Sequence, residues 1–329
     1  MKKLAVISVF ILIICSCKKH EINNNGGGNN NPPVDTTQLY QYSILPSLTN
    51  PAITTYNSEH YVCFDTRVTA INKLFVFLPG TTGAPAFYKL IIQQASSMGY
   101  HAIGLMYPNS TDMYVAASTS SDNSLFGKCR QEIFDGSNQA SGVSVDQNNC
   151  IQQRLIKLLQ YLQQQYPGQN WQQYLINGEV NWNKVVLAGH SQGGGHAFYI
   201  SKLVPLYRAI SFSSMDWNSL LGRSADWIAN TGATPAASLH SFNSINDQLF
   251  AYNNVSTQLN ELGLPGPSKS IDVFPTPYSG SHQLTTNAAP AISVLVPDHN
   301  LTCLDQYVPK SGNVVAPNFR DAWAYLLRP

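Results

Sequence analysis

The sequence predicts an α/β fold, a mostly parallel central sheet with helices on both faces. Three observations predict it. Residues 73–78, Lys73-Leu74-Phe75-Val76-Phe77-Leu78, form a continuous apolar run, the kind buried on both faces of a parallel sheet. A second apolar run, Lys184-Val185-Val186-Leu187-Ala188, leads straight into Gly189-His190-Ser191-Gln192-Gly193 and then a helix-like segment over 196–203. Strand-like and helix-like segments alternate along the rest of the chain, which is the pattern of βαβ units.

The N-terminus stands outside that fold. Lys2 and Lys3 precede an apolar stretch, 4–14, too short to span a bilayer. Ile14-Cys15-Ser16-Cys17 resembles the lipobox of bacterial lipoproteins, which makes 1–16 a signal peptide and Cys17 the lipidated residue that holds the mature chain to a lipid bilayer. An ordinary cleaved signal or an uncleaved anchor is the alternative. By the same resemblance, Lys18 and Lys19 after Cys17 lean toward the outer membrane, periplasmic or cell-surface side. Residues 17–38 then read as a tether. They are rich in Asn and Gly, followed by Pro32-Pro33, and cannot bury enough apolar surface to offset chain entropy.

No internal repeat and no second linker follows Gln38, so 39–329 reads as one domain. Its expected elements run in order. Strands are expected at 41–45, 61–66 and 73–78. A helix over 86–98 closes at Gly99, and a strand follows at 101–107. Residues 109–147 are long, polar and rich in Ser, Asp and Gly, as in a lid or cleft wall. Ile151, Leu155, Leu158, Leu159 and Leu162 mark one face of a helix that ends at Pro167. Strands at 185–188, 209–212 and 237–242 come next, then a helix over 249–262. Strands at 271–274 and 291–296 and a terminal helix over 319–327 complete the domain.

Export places Cys63, Cys129, Cys150 and Cys303 in an oxidising compartment. Cys129–Cys150 is the expected disulfide, since both lie in or beside the long insertion, and Cys63–Cys303 follows by default. Buried free thiols are the alternative. Within the insertion, Arg130 is expected in a solvated pair with Glu132, or else lining the substrate cleft.

Strand, sharp turn with a central serine, then helix is the setting in which G-x-S-x-G forms a nucleophile elbow. On that motif, on Leu78-Pro79-Gly80-Thr81-Thr82-Gly83 after the earlier strand, and on Asp247 after a later one, residues 39–329 resemble an α/β-hydrolase. The resemblance implies a serine hydrolase that works through an acyl-enzyme, with Ser191 as nucleophile. A serine hydroxyl is a poor nucleophile at neutral pH, so it needs a base and a group that fixes the base's tautomer. The tetrahedral intermediate needs pre-aimed N–H donors. The family supplies these from the residue after the serine, here Gln192, and from the loop after the third strand, here Thr81 or Thr82.

Family order is serine, acid, histidine, which leaves His282 and His299 as rival bases, with His282 favoured. His282 follows the small residue Ser281, similar to many members of the family; His299 lies nearer the terminal helix. Asp247 is the favoured acid and Asp216 its rival.

Carboxylic esters are the expected substrates, with peptide or amide bonds, or a non-catalytic surface-binding lipoprotein, as alternatives. With 43% hydrophobic residues, 11% charged and a net charge of +1, the chain has no field that would draw nucleic acid. No Walker loop, dinucleotide glycine motif, H-E-x-x-H or zinc spacing occurs, so no cofactor and no metal is implied. A monomer is the default oligomeric state.

Overall fold

The computed structural model describes residues 34–109, 113–139 and 141–328. The expected signal peptide, Cys17, the tether as far as Pro33, and residues 110–112 of the insertion lie outside the described residues.

The sheet strands are β1 (Leu39–Ile44), β2 (His60–Asp65), β3 (Leu74–Leu78), β4 (His101–Gly104), β5 (Val185–His190), β6 (Arg208–Phe212), β7 (Leu239–Ser244), β8 (Lys269–Ser270) and β9 (Gln283–Thr286). They lie in the order β1-β2-β4-β3-β5-β6-β7-β9-β8. β2 runs antiparallel to both β1 and β4, and every other neighbouring pair is parallel. The helices longer than a single turn are α1 (Lys89–Ser97), α2 (Met113–Ser118), α3 (Leu125–Asp135), α4 (Ile151–Gln165), α5 (Gln192–Leu203), α6 (Tyr252–Glu261) and α7 (Pro317–Leu326) among the described residues.

Strand side chains alternate between the sheet faces, and the two cores follow that alternation. Leu74, Val76, Leu78, Val185 and Leu187 point into one core with the apolar stripes of α3, α4, α5 and α6. Phe75, Phe77, Val186 and Ala188 point into the other, with Ile91, Ile92 and Ala95 of α1 and Phe319, Ala322 and Trp323 of α7. Both faces are therefore dry, which is why these strands read as continuous apolar runs. From β3 the chain moves through α1 to β4 on one side. From β4 it crosses through α2, α3 and α4 to β5 on the other. That reversal opens a crevice at the carboxyl ends of β3 and β5, where ligands bind in such sheets.

Several expectations need correction. The insertion, polar in composition, carries α2 and α3, and Phe126, Cys129, Arg130 and Ile133 form a buried stripe on α3. Residues 271–274 and 291–296 are not strands; the late strands are β8 and the polar β9. β9 escapes a hydrophobicity reading because the buried Gln283 and Thr286 satisfy their side chains through hydrogen bonds. Gln283 Nε2, for example, donates to Leu264 O (3.0 Å) and Gly266 O (3.1 Å). Tertiary contacts also begin before Leu39, since Thr66 Oγ1 donates to Asp35 O at 2.8 Å and Thr66 N to Gln38 O at 2.9 Å.

Neither expected disulfide forms, and all four thiols are free and buried. Cys129 Sγ donates to Ser141 O (3.7 Å) from inside α3, while Cys150 caps α4 and donates to Gln147 O (3.1 Å). Cys63 lies within β2, and Cys303 beside Thr302, whose hydroxyl donates to its sulfur at 3.9 Å. Burial pushes all four thiols above their ordinary range. Among the described residues, no helix is long and apolar enough to cross a membrane.

Candidate active site

β5 ends at His190, and Ser191 turns the chain directly into α5. Its backbone lies at φ 51°, ψ −117°, a region that costs a non-glycine residue about 1–3 kcal/mol. Surrounding bonds hold it there: Ser191 N donates to Phe212 O (2.9 Å), and Gly195 N donates to Ser191 O (3.1 Å). The glycines have a packing reason. A Cβ on Gly193 would sit 2.0 Å from Leu78 O, and one on Gly189 would sit 2.3 Å from the Gly193 carbonyl carbon. The elbow helix crosses β3 and β5 too closely for any side chain.

The loop after β3 packs against this turn. A Cβ on Gly80 would lie 2.9 Å from His190 Nδ1 and 3.3 Å from Ser191 Cβ. The loop's amides separate the two threonines. Thr82 N donates to Asn109 O (3.0 Å), Gly83 N to Gly80 O (2.9 Å) and Gly80 N to Tyr88 Oη (3.2 Å). Among the described residues the Thr81 amide meets no acceptor, whereas that of Thr82 is occupied. Thr81 Oγ1 donates to Gln192 Oε1 (2.8 Å), joining the loop to the first residue of α5. The Gln192 amide heads α5, where helix geometry leaves it without an intrahelical partner. Asn109, which the sequence reading missed, braces the loop by donating from Nδ2 to Gly80 O (2.7 Å) and Gly83 O (2.8 Å).

Strand direction separates the rival histidines. His282 immediately precedes β9, at the amino end of the parallel sheet, and its Nδ1 is 3.0 Å from Leu239 O at the start of β7. It stacks on His240 with ring centroids 3.9 Å apart. The elbow lies at the opposite, carboxyl end. His299 lies there too, in a single helical turn, Pro297–Asn300. Its ring centroid is 4.8 Å from that of His190, and its carbonyl accepts from His190 Nε2 at 3.0 Å.

Asp247 follows β7 and joins His299 rather than His282. Asp247 Oδ2 accepts from His299 Nδ1 at 2.8 Å, and both side chains are almost fully buried. Asp247 Oδ1 accepts from Leu249 N (2.8 Å) and Phe250 N (3.1 Å), which fixes the carboxylate plane. Gln248 is a second residue the sequence did not flag: its Oε1 accepts from Asp298 N (3.1 Å) and His299 N (3.2 Å), clipping the two loops together. The Phe250 ring lies between those of His299 (5.2 Å) and Tyr114 of α2 (4.8 Å), so the insertion reaches the site's wall.

Asp216 is otherwise engaged. Its carboxylate accepts from Arg130 Nε and Nη2, both at 2.6 Å, and from Trp227 Nε1 at 2.9 Å. Arg130 is neither solvated nor paired with Glu132. Its guanidinium is buried against α5, where Nη1 donates to Gln192 O (3.0 Å) and a Cβ on Gly195 would meet Nη2 at 1.9 Å. An open cleft of about 530 Å³, lined by Lys128, Gln131, Tyr199 and Trp227 among others, contains none of Ser191, Asp247 and His299. Among the described residues, no group of three or more His, Cys, Asp or Glu side chains is placed to hold a metal ion.

No protein-family model and no curated protein matches the chain.

Proposed function

We propose that the chain is an α/β-hydrolase-fold serine hydrolase that cleaves carboxylic esters through an acyl-enzyme. One observation carries this reading. His299 Nδ1 is held by Asp247 at 2.8 Å next to the elbow that bears Ser191 in a strained turn. Because Asp247 accepts the Nδ1 proton, the lone pair sits on Nε2, the nitrogen a general base uses.

In the proposed reaction Ser191 Oγ attacks the acyl carbon while His299 Nε2 takes its proton. Asp247 stabilises the resulting imidazolium. The Gln192 and Thr81 amides receive the oxyanion, and each such donor supplies about 2.7–4 kcal/mol of transition-state stabilisation. His299 then returns the proton to the departing alkoxide, and water repeats the sequence on the acyl-enzyme. Esters are the natural substrate class because an alkoxide leaves with less help than an amide nitrogen. Anchoring through Cys17 at a bilayer surface is part of the same proposal and rests on the lipobox-like sequence alone.

The test is turnover of an aryl ester by the purified chain. Ser191→Ala is expected to remove it while leaving the melting temperature within a degree or two of the parent's. Undiminished turnover in Ser191→Ala would refute the assignment.

A further inference from the structure

His190 is the neighbour of the nucleophile that the proposed chemistry leaves unused. Strand alternation sends its side chain, like those of Val186 and Ala188, to the face that carries α1. An apolar residue there would pack without a desolvation cost. Instead a buried imidazole has both nitrogens engaged: Nδ1 lies 3.0 Å from Tyr88 Oη, and Nε2 lies 3.0 Å from His299 O.

Burial, reinforced by the neighbouring His299 ring, lowers the His190 pKa to about 3, so the ring is neutral at ordinary pH. A neutral imidazole has one donor and one acceptor, and the partners decide which is which. His299 O can only accept, so Nε2 carries the proton and Nδ1 accepts from the Tyr88 hydroxyl. Tyr88 Oη in turn accepts from Gly80 N at 3.2 Å. The bonds form one directed chain: Gly80 N–H to Tyr88 Oη–H to His190 Nδ1, then His190 Nε2–H to His299 O. It begins in the loop carrying the Thr81 amide and ends on the backbone of the base.

We infer that His190 is a positioning residue which, through Tyr88, holds the oxyanion loop and the backbone of His299 in one fixed relation around Ser191. The inference rests on the serine-hydrolase reading. A free loop would let His299 and the Thr81 amide drift independently, and displacement of a reacting group by about 1 Å can cost 10²-fold in rate. Gly80 follows from the same arrangement, since a Cβ there would strike His190 Nδ1 at 2.9 Å.

The experiment compares parent, Tyr88→Phe, His190→Phe, His190→Gln and the Tyr88→Phe/His190→Phe double variant in aryl-ester kinetics and melting. His190→Phe is expected to lower kcat by about 10–100-fold with KM nearly unchanged. His190→Gln keeps an acceptor and a donor and should recover most of that loss. Tyr88→Phe removes one oxygen only; it leaves Gly80 N and His190 Nδ1 without that partner and so lowers the melting temperature, and in the folded fraction it should lower kcat by less than His190→Phe does. The double variant should be no slower than His190→Phe, because both changes cut one chain. In the parent, ¹⁵N spectra should show the Nε2–H tautomer of His190 unchanged from pH 8 to pH 5.

A folded Tyr88→Phe and a folded His190→Phe with parent kcat would overturn the inference while leaving the hydrolase reading intact. Loss of kcat only in step with loss of folded protein, or a charged His190 at pH 5, would also overturn it. A parent chain unreactive toward both aryl esters and a fluorophosphonate would overturn the hydrolase reading, and this inference with it.

Discussion

Asp216 and Asp247 follow adjacent parallel strands, β6 and β7, and both carboxylates are buried, yet their partners differ. Asp216 faces a guanidinium, which never loses its charge, and the Trp227 indole adds a third donor. Such a pair is fixed; it clamps α3 to the start of α5 and has nothing to exchange. Asp247 ties one oxygen to two backbone amides and leaves the other for an imidazole, whose charge can come and go. Two carboxylates that chain order alone allows are thereby divided into a structural one and the proposed catalytic one. The division rests on what each faces, not on its depth.

The largest effect that sharpens this comparison is on His299. His299→Ala should reduce kcat toward the residual level set by binding and the oxyanion donors, on the order of a 10⁶-fold loss. His282→Ala, at the far end of the sheet, should leave kcat within about twofold of the parent, a change too small for loss of a general base. Steady-state kinetics on an aryl ester separate the two outcomes, and equal losses would break the comparison.

Next come the carboxylates. Asp247→Asn should lower kcat by about 10⁴-fold, through loss of the base's orienting partner, with a small change in urea midpoint. Asp216→Asn should do the reverse. Leaving the Arg130 guanidinium buried without its counter-ion should cost roughly 3–5 kcal/mol of stability, while kcat of the folded fraction changes far less than in Asp247→Asn. Denaturant titration alongside kinetics reads both.

A smaller effect concerns pH. Burial holds His60 and His190 neutral with pKa values of about 3, and His101 at about 4. Their unfolded values lie near 6.5, so between pH 6.5 and 4 the unfolded chain binds more protons than the folded one. The stability these three histidines contribute is therefore complete above pH 6.5 and is lost as pH falls through that window, by up to about 1.4 kcal/mol per pH unit for each. Urea midpoints at pH 7.5 and pH 5 should fall in that order, and His101→Gln should flatten the slope.

The smallest effect is the response to reductant. With all four thiols free, dithiothreitol should leave the melting temperature unchanged, whereas a native disulfide would contribute about 2–4 kcal/mol.

What was legible in the sequence followed from local physics. The glycines around Ser191 encode a turn that only small residues fit, and the apolar runs of β3, β5 and β6 encode strands dry on both faces. Asp247 is favoured because it stands between the strand expected at 237–242 and the helix expected over 249–262. The sequence favours His282, whereas the structure pairs Asp247 with His299, and the difference turns on a polar strand. β9 carries Gln283 and two threonines, so its place, and with it the end of the sheet at which His282 lies, was invisible to a hydrophobicity reading. Arg130 was misjudged for a related reason. A buried guanidinium is recognisable only once its three-dimensional partners, Asp216 and Gln192, are known. The braces Asn109 and Gln248 act through backbone groups distant in sequence and leave no local signature.

The central claim is that Ser191 is a nucleophile activated by His299, and labelling with a fluorophosphonate tests it most directly. Mass spectrometry of the digested product should find one adduct, on Ser191, formed at the parent rate in His282→Ala and at least about 10³-fold more slowly in His299→Ala. An adduct on another residue, no adduct on the folded parent chain, or a rate that collapses in His282→Ala and survives in His299→Ala would contradict the account.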